Sequence, residues 1–551
     1  MITIQALLVV VAALAALGII YERLFSPLSK IPAPHWSCHF SPIWLWYVRL
    51  FHKENHLVYA NHMSKGRALR LAPKVLSINS FEDGLKPIYL GNFPKTEFYT
   101  RGFMNYGTHN IFTFEDNATH SARKRVISNT FSKSFVLSSA TARGSLRDVL
   151  FGKLLPLVDD AAKNGKPLEM LELSYAYSMD SFVQWQFGRR LASNLVQDIG
   201  ERRLYLDGFF AAAPYTFWQY EFPTINTLLK KIGLIPIKVD SGFHDIEDWN
   251  LEKCDGAYKM LKSGEELAED DKPVVFAHAA KTMIKQASES SVGNEYPLRL
   301  EIASDMFAHN SAAHETSGNT LGFLYYELSR RPDIQKKLRD ELLTLDPPLK
   351  FPQTPNDAGE LNLPLPKDVD ALPYLEAVIM ETLRLYPSVP GGQPRKVPRP
   401  CILGGYDGIP PGTTVQCYAY CLHRTPEVFP DPETWNPDRW INASKDELSN
   451  MRRWFWAFGS GGRMCIGSNF AWFCKWKLSL NDTGPHVLRL KLAIVIEGNA
   501  NNYLVTAMKH VVGSIYTNFT SSIHDTGSME LLDAYLAGPK GHKVEIQFAR
   551  A

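Results

Sequence analysis

The hydrophobic pattern changes along the chain, and each change predicts a different element. Residues 4–20 are almost all apolar and none of them is charged. A helix of about 17 to 20 such residues can just cross a hydrocarbon layer of about 30 Å. The pattern therefore predicts a membrane anchor over residues 1–22, followed by a proline-rich linker over residues 23–37.

A cleaved signal peptide is the alternative for this apolar run. Against it, no basic region precedes the run and no small-x-small cleavage pattern follows it. Arg23 and Lys30 lie after the run, which favours a cytosolic location for the rest of the chain.

The remaining chain, residues 38–551, mixes short alternating runs with long helical ones. Residues 69–72 and 75–78 have the pattern of short strands bounded by Gly and Pro. Residues 298–331 predict one long helix, because Pro332 ends it and also begins the next helix. We expect a mainly α fold with small β-sheets.

Composition and charge narrow the class of protein. Hydrophobic residues make up 45% and aromatic residues 12% of the 551 residues, which is typical of a globular protein with a large core. The formal net charge of +2 gives no reason to expect nucleic acid as a partner. The seven cysteines lack the paired spacing of a disulfide or zinc framework, which predicts reduced thiols.

One short stretch near the end of the chain, residues 458–467, places a single cysteine among several glycines. It reads Phe-Gly-Ser-Gly-Gly-Arg-Met-Cys-Ile-Gly. The glycines allow the backbone to approach a flat cofactor and to direct N–H groups at the sulfur of Cys465, while Arg463 can pair with an anionic group. A thiolate held in this way is a metal ligand of tuned electron donation. Taken alone, a cysteine in a loop is more often a small buried residue.

This stretch resembles the signature F-x-x-G-x-R-x-C-x-G of the haem-thiolate cytochromes P450. The fixed positions of the signature are matched by Phe458, Gly461, Arg463, Cys465 and Gly467. The resemblance implies the cytochrome P450 fold with an N-terminal transmembrane helix. It also implies haem b, iron protoporphyrin IX, as the cofactor, with a cysteine thiolate as its axial ligand.

The middle of the predicted long helix carries a second motif. Ala312-Ala313-His314-Glu315-Thr316 is similar to the family's A/G-G-x-D/E-T pattern, with alanine in place of the usual glycine. Small residues leave room for a cofactor beside the helix, and an acid next to a hydroxyl can relay protons. The resemblance implies catalytic roles for Glu315 and Thr316, although such a pair is unremarkable in an isolated helix.

The resemblance implies a structural role, not a catalytic one, for a third motif. Glu381 and Arg384 form an E-x-x-R pair on one helical face, which is weak evidence on its own because such pairs are common. Their context resembles a helix that the family locks to an arginine in the sequence P-D-R-W. That arginine is Arg439 here.

The resemblance also implies contacts to the haem propionates and to substrate. Arg395 is one propionate partner, and His120 and Lys124 stand where the family has a tryptophan and an arginine. Whether Lys124 or its neighbour Arg125 faces inward stays open, as does a solvated basic face. The expected substrate pocket comprises Phe103, Phe112, Ala308, Ala312 and Val389. The aromatic stretch 205–240 corresponds to the family's lid.

Residues 474–507 interrupt the resemblance. The family continues from the cysteine loop, through a helix that begins near Asn469, directly into a segment like 508–519. The intervening Asn-, Gly- and Pro-containing stretch breaks that helix. A translated intron would explain it, because codons for 473–476 can contain GTAAGT and those for 506–507 can end in CAG. A genuine surface insertion is the alternative.

Together these features predict a monooxygenase that hydroxylates or otherwise oxidises a lipophilic small molecule with O2 and NADPH-derived electrons. The expected partner is NADPH-cytochrome P450 reductase. Likeness to microsomal fungal members implies a single-pass protein of the endoplasmic reticulum membrane, with a cytosolic catalytic domain, in secondary metabolite biosynthesis. Two alternatives stay open: a haem-thiolate isomerase or dehydratase that uses no O2, which the retained Thr316 disfavours, and a non-functional product of a retained intron.

Overall fold

The computed structural model describes residues 26–289, 295–356, 360–467 and 503–551, together with positions 6, 7, 9, 10, 13, 14, 17, 18 and 21. Much of the predicted anchor and most of the predicted insertion lie outside the described residues. Within the described residues, no helix is both long enough and apolar enough to cross a bilayer.

The α-helices account for about half of the described residues. In chain order they are α1 (Ile43–Leu50), α2 (Glu54–Lys65), α3 (Phe98–Phe103), α4 (Asn117–Ile127), α5 (Lys133–Ser138), α6 (Ala140–Ser145), α7 (Leu155–Asn164), α8 (Met170–Phe187), α9 (Ile199–Phe210), α10 (Thr216–Glu221), α11 (Pro223–Lys231), α12 (Ile237–Lys262), α13 (Val274–Glu289), α14 (Glu295–Ser329), α15 (Pro332–Leu342), α16 (Pro366–Asp370), α17 (Pro373–Leu385), α18 (Ala419–Leu422), α19 (Asp438–Asn442), α20 (Lys445–Trp454) and α21 (Tyr503–Asn518).

The strands are short and form three small sheets. They are β1 (Ala68–Ala72), β2 (Val75–Ile78), β3 (Leu168–Glu169), β4 (Arg395–Lys396), β5 (Cys401–Leu403), β6 (Tyr406–Ile409), β7 (Thr414–Gln416), β8 (Phe519–Thr526) and β9 (Val544–Arg550). The sheet orders are β1-β2-β7-β4, β3-β9-β8 and β5-β6. Neighbouring strands are antiparallel except β2 and β7, which are parallel. The expectation of a mainly α fold with small sheets is confirmed.

The 35-residue helix α14 runs through the centre of the large hydrophobic core. It ends at Ser329, and Pro332 occupies the first turn of α15, as the sequence predicts. Helix α8 packs closely on α14 because two glycines one turn apart leave room. A Cβ at Gly318 would lie 2.2 Å from the ring of Tyr175, and one at Gly322 would lie 2.7 Å from the side chain of Leu171.

Helix α21 resumes the chain after the undescribed stretch. It begins at Tyr503, inside the predicted insertion, and covers most of the segment that resembles the family's helix after the cysteine loop. None of the six cysteines that the structure describes is in a disulfide.

Candidate active site

One face of α14 borders an internal space. Ala308, Ala312 and Thr316 recur every four residues and therefore lie on one face of the helix. Ala312 is exposed and the other two are partly exposed, whereas Ala313 and His314 beside them are buried. Because α14 passes through the core, this exposure indicates a cavity along the small-residue face. The pattern places all three sequence-predicted residues at that cavity.

The predicted relay pair, Glu315 and Thr316, points in two directions. Successive residues on an α-helix are turned by about 100° from each other. The Thr316 hydroxyl donates to the Ala312 carbonyl at 2.7 Å, on the cavity face. The Glu315 carboxyl is buried, and its Oε2 has no hydrogen-bond partner among the described residues. Burial raises the pKa of Glu315 to about 8, so this acid is largely uncharged at neutral pH.

The wall of the cavity comes from two distant parts of the chain. The Ser388 hydroxyl donates to the Thr316 carbonyl at 2.9 Å, which places the neighbouring Val389 beside α14. On the other side, the N–H of Ile111 donates to Asp305 of α14 at 2.7 Å, which holds the following Phe112 near the helix. Phe112 is 37% exposed, and its ring lies 5.0 Å from that of Phe103. The structure therefore brings Phe103 and Phe112 into contact and places Val389 next to a residue hydrogen-bonded to α14.

The cysteine loop is a tight turn that leaves the Cys465 side chain accessible within the surrounding protein. Gly459 and Gly461 both have φ of +69°, a conformation that favours glycine, and a Cβ at Gly461 would lie 2.2 Å from the Tyr89 carbonyl oxygen. The Cys465 N–H donates to the Phe458 carbonyl at 2.9 Å, which closes the turn, and the Cys465 side chain is exposed.

Opposing influences act on the Cys465 thiol. The surrounding protein raises its pKa by desolvation, while the N–H of Gly467 and the ammonium of Lys124 act in the opposite direction. These two groups are thus placed where they favour a thiolate. The buried Gly467 belongs to the matched signature.

Helix α4 joins the cysteine loop to α14. It begins at Asn117 and ends at Ile127. Lys124 donates to the carbonyls of Gly462 and Met464, both at 3.1 Å, so Lys124 is the residue that faces the loop. Its neighbour Arg123 donates to Asp305 of α14 at 3.2 Å.

Arg463 holds the cysteine loop against the start of α4. Its guanidinium donates to the carbonyls of Phe114, Glu115 and Asp116 at 2.7 to 2.9 Å and to Oδ1 of Asn117 at 3.1 Å. Four of its five N–H groups are used in this way. The sequence suggested an anion partner for Arg463, and the structure instead gives it a clamping contact that sequence alone did not indicate.

A cluster of buried basic side chains lies beside the loop. His120 is buried, and its pKa is lowered to about 2, first by desolvation and then by the charges of Arg463, Lys124, Lys95 and Arg395. The pKa of Lys95 is also held well below its usual value, by burial and by Arg395 and Arg463. Like charges in a low-dielectric interior repel one another, so an anionic group in their midst would be stabilising.

Lys95 is a site residue that the sequence analysis missed. Its ammonium lies 4.0 Å and 3.8 Å from the ring centroids of Tyr99 and Phe112 and donates to the Phe112 carbonyl at 2.5 Å. Arg395 is held close by, because it donates to the Tyr99 hydroxyl at 2.7 Å. No spacing in the sequence connects Lys95 with His120 or Arg395, so only the folded chain reveals the cluster.

The residues present fit haem. Its two carboxylates match the buried basic side chains, a flat ring can lie along the small-residue face of α14, and the Cys465 thiol is accessible for metal ligation. Outside the cavity, Glu381 accepts hydrogen bonds from both Arg384 and Arg439, so the three residues predicted to be structural meet in one network.

Comparison with known proteins agrees with this geometry. The family model described as Cytochrome P450 matches residues 88–474, more than half of the chain, and the chain belongs to the cytochrome P450 family. It is 27% identical to the cytochrome P450 monooxygenase hkm5 of Aspergillus hancockii over 485 residues, which cover 82% of this chain and 84% of the relative. It is 25% identical to the cytochrome P450 monooxygenase FUS8 of Gibberella moniliformis over 453 residues, 82% of this chain and 81% of the relative.

A mammalian relative shows a more limited match. Cytochrome P450 3A12 of Canis lupus familiaris is 29% identical over 356 residues, and 63% of each chain is covered. The family binds haem b through a cysteine thiolate, and the chain is therefore a cytochrome P450 monooxygenase, an oxidoreductase.

Proposed function

We propose that this monooxygenase holds haem b through the Cys465 thiolate and oxidises a lipophilic small molecule in the cavity along α14. The observation that carries the proposal is the exposed Cys465 thiol in a loop beside the buried basic cluster of Lys95, His120 and Arg395. Arg463 and Lys124 position the thiol by fixing the loop, and Phe458 and Gly461 shape the turn around it. When bound, haem supplies the activation of O2 and the transfer of one oxygen atom.

The chain's own residues provide the space and the protons. Ala308 and Ala312 leave room along α14, and the Thr316 hydroxyl supplies a hydrogen-bonding group at that face. The uncharged Glu315 carboxyl is a proton source one residue away, and it can be reprotonated near neutral pH because its pKa is about 8. We assign the catalytic proton to Glu315 and a separate hydrogen-bonding role at the cavity face to Thr316, because the two side chains point in different directions.

The chemistry of the cavity wall supports a lipophilic substrate. Phe103, Phe112 and Val389 offer apolar surface, and a ligand there exchanges water for aromatic and aliphatic contacts. We propose that the electrons come from NADPH through a separate NADPH-cytochrome P450 reductase. Likeness to fungal monooxygenases supports a role in secondary metabolite biosynthesis.

We propose a single membrane anchor at residues 1–22, the linker at 23–37, and a cytosolic catalytic domain at the endoplasmic reticulum membrane. Several described positions of the apolar run have exposed apolar side chains, which water does not favour: Leu7, Val9, Val10, Leu14 and Leu17. Fractionation of the full chain and of a form without residues 1–22 tests this. The full chain should stay with microsomes after carbonate washing, and the shortened form should be released.

We propose that residues 474–507 are a retained intron. The family match ends at residue 474, where the predicted interruption begins, and α21 resumes the chain at Tyr503. Sequencing of transcripts across this junction tests the proposal. A transcript population that always encodes these residues would contradict it and would favour a surface insertion.

The reduced carbon monoxide difference spectrum tests the haem assignment. A Soret band typical of thiolate ligation is expected for the chain with or without residues 474–507, and Cys465→Ser should abolish it in either form. An unaltered band in the serine variant would refute the ligand. Absence of any band in the long form alone would make that form the non-functional product. Turnover without O2 or NADPH would instead favour an isomerase or dehydratase.

A further inference from the structure

The short helix α10 inserts one aromatic ring into the outer wall of the cavity. Tyr220 stacks on Phe103 of α3, with ring centroids 5.9 Å apart and planes 25° from parallel, and lies 5.1 Å from Phe98. Phe103 in turn contacts Phe112, the ring that borders the cavity. Tyr220 is therefore part of the aromatic wall of the cavity, in contact with Phe98 and Phe103 and close enough to α14 for Glu315 to raise its pKa after the larger effect of burial.

A glycine makes this position possible. A Cβ at Gly102 of α3 would lie 2.2 Å from Cε1 of Tyr220, well inside van der Waals contact. Because the nearest atoms belong to the Tyr220 ring, a larger residue at Gly102 would displace that ring. The absence of a side chain at Gly102 thus creates the slot that Tyr220 fills.

The residue next to Tyr220 fastens α10 from the opposite side. Glu221 pairs with Arg49 of α1 and accepts a hydrogen bond from Nε1 of Trp46 at 3.1 Å. Arg49 is itself held by Glu54, with Nε to Oε2 at 3.0 Å. The side chains of Arg49 and Glu221 are only 23% and 16% exposed, so water screens their attraction less than that of an open surface pair.

We infer that Tyr220 is a specificity-determining residue that limits the size of molecules able to enter the cavity, and that Glu221 is the positioning residue that holds it. Entry of a bulky molecule requires the Tyr220 ring to leave its slot, and the ion pair with Arg49 opposes that movement. The inference rests on the proposed haem site, because it concerns entry to that site.

The test uses haem-loaded protein and two probes that ligate ferric haem, imidazole and the three-ring imidazole derivative clotrimazole. Stopped-flow measurement of the Soret shift gives their association rates. We expect Tyr220→Ala and Glu221→Gln each to raise the clotrimazole rate about tenfold while the imidazole rate changes by less than about twofold. Tyr220→Phe keeps the ring and should behave like the wild type.

Gly102→Ala should also open the entry to the cavity, because its methyl group displaces the Tyr220 ring. It should raise the clotrimazole rate in the wild-type background and have no effect in the Tyr220→Ala background, because its target ring is gone. Glu82→Gln, which removes an exposed pair with Lys86 at 2.8 Å, is the matched control and should change neither rate.

Two results would overturn the inference while the haem band is intact. One is an unchanged ratio of clotrimazole to imidazole rates in both Tyr220→Ala and Glu221→Gln. The other is a full effect of Gly102→Ala in the absence of the Tyr220 ring. A wild-type chain without a haem band would overturn both this inference and the function on which it rests.

Discussion

The guanidinium of Arg384 meets the carboxylate of Glu381 through two parallel hydrogen bonds, Nε to Oε2 at 2.9 Å and Nη2 to Oε1 at 2.8 Å, and neither side chain is exposed. Glu381 also accepts Nε of Arg439 at 3.0 Å and Nε1 of Trp440 at 2.9 Å. One carboxylate thus pairs with two arginines and joins α17 to α19. The charges are stabilising only as a complete set, because an unpaired charge in this interior is costly.

Loss of Glu381 should destabilise the fold. Glu381→Gln leaves the guanidinium of Arg384 buried without its countercharge, and we expect the free energy of unfolding to fall by about 3–5 kcal/mol. Chemical denaturation of the haem-loaded protein measures this. Asp340→Asn, which removes an exposed pair with Lys336, should cost less than about 1 kcal/mol. Equal losses in the two variants would contradict the structural role of Glu381.

The shape of the Arg463 guanidinium, more than its charge, should explain how much Arg463 contributes to haem retention. Its fork reaches four oxygen acceptors at the start of α4, and a lysine ammonium cannot span them. We therefore expect Arg463→Lys to lose as much haem during purification as Arg463→Ala, measured as Soret absorbance per protein. Wild-type haem content in the lysine variant would show that a positive charge alone is sufficient.

Lys95 should strengthen haem binding and should destabilise the haem-free protein. Its ammonium is buried beside Arg395 and Arg463, so Lys95→Met relieves repulsion when no anion is present. We expect the haem-depleted variant to unfold at an equal or higher temperature than the wild type. Haem transfer to apomyoglobin should be about tenfold faster, as expected when one charge-assisted contact is lost.

An exposed lysine provides the control for that measurement. Lys74, in the turn between β1 and β2, is exposed, and Lys74→Met should leave both quantities unchanged. An unchanged rate of haem transfer in Lys95→Met would show that Lys95 does not help to bind haem.

The features that could be predicted from the sequence are those that depend only on residues close together in the chain. The pairing of Glu381 with Arg384 needs only three residues of helix, and the turn around Cys465 needs only ten residues with glycines at fixed positions. The strands β1 and β2 and the end of α14 shortly before Pro332 were likewise set by neighbouring residues. Each of these expectations depended on short-range geometry.

Features that depend on packing could not be predicted in this way. The rotation of α4 decides that Lys124 and not Arg125 faces the cysteine loop, and that rotation is set by contacts such as Arg123 with Asp305. Lys95 reaches the basic cluster only because the segment before α3 pairs with Arg395. The partners of Arg463 lie about 350 positions earlier in the chain, beyond any periodicity in the sequence.

Stability should depend on pH through Glu315. Its ordinary pKa of 4.5 rises to about 8 in the folded protein because of burial, so between these values the folded state holds a proton that the unfolded chain has lost. The resulting stabilisation is complete below pH 4.5 and disappears as the pH rises to about 8, with a slope of up to about 1.4 kcal/mol per pH unit. Glu315→Gln removes this titration, so its free energy of unfolding should fall less than that of the wild type between pH 6 and pH 8. Denaturation curves across this range measure the difference between the two proteins, and Glu530→Gln, at an exposed site, should keep the wild-type slope. Parallel curves for the wild type and Glu315→Gln would show that Glu315 is already charged in the folded protein, which would also remove it as the proton source next to Thr316.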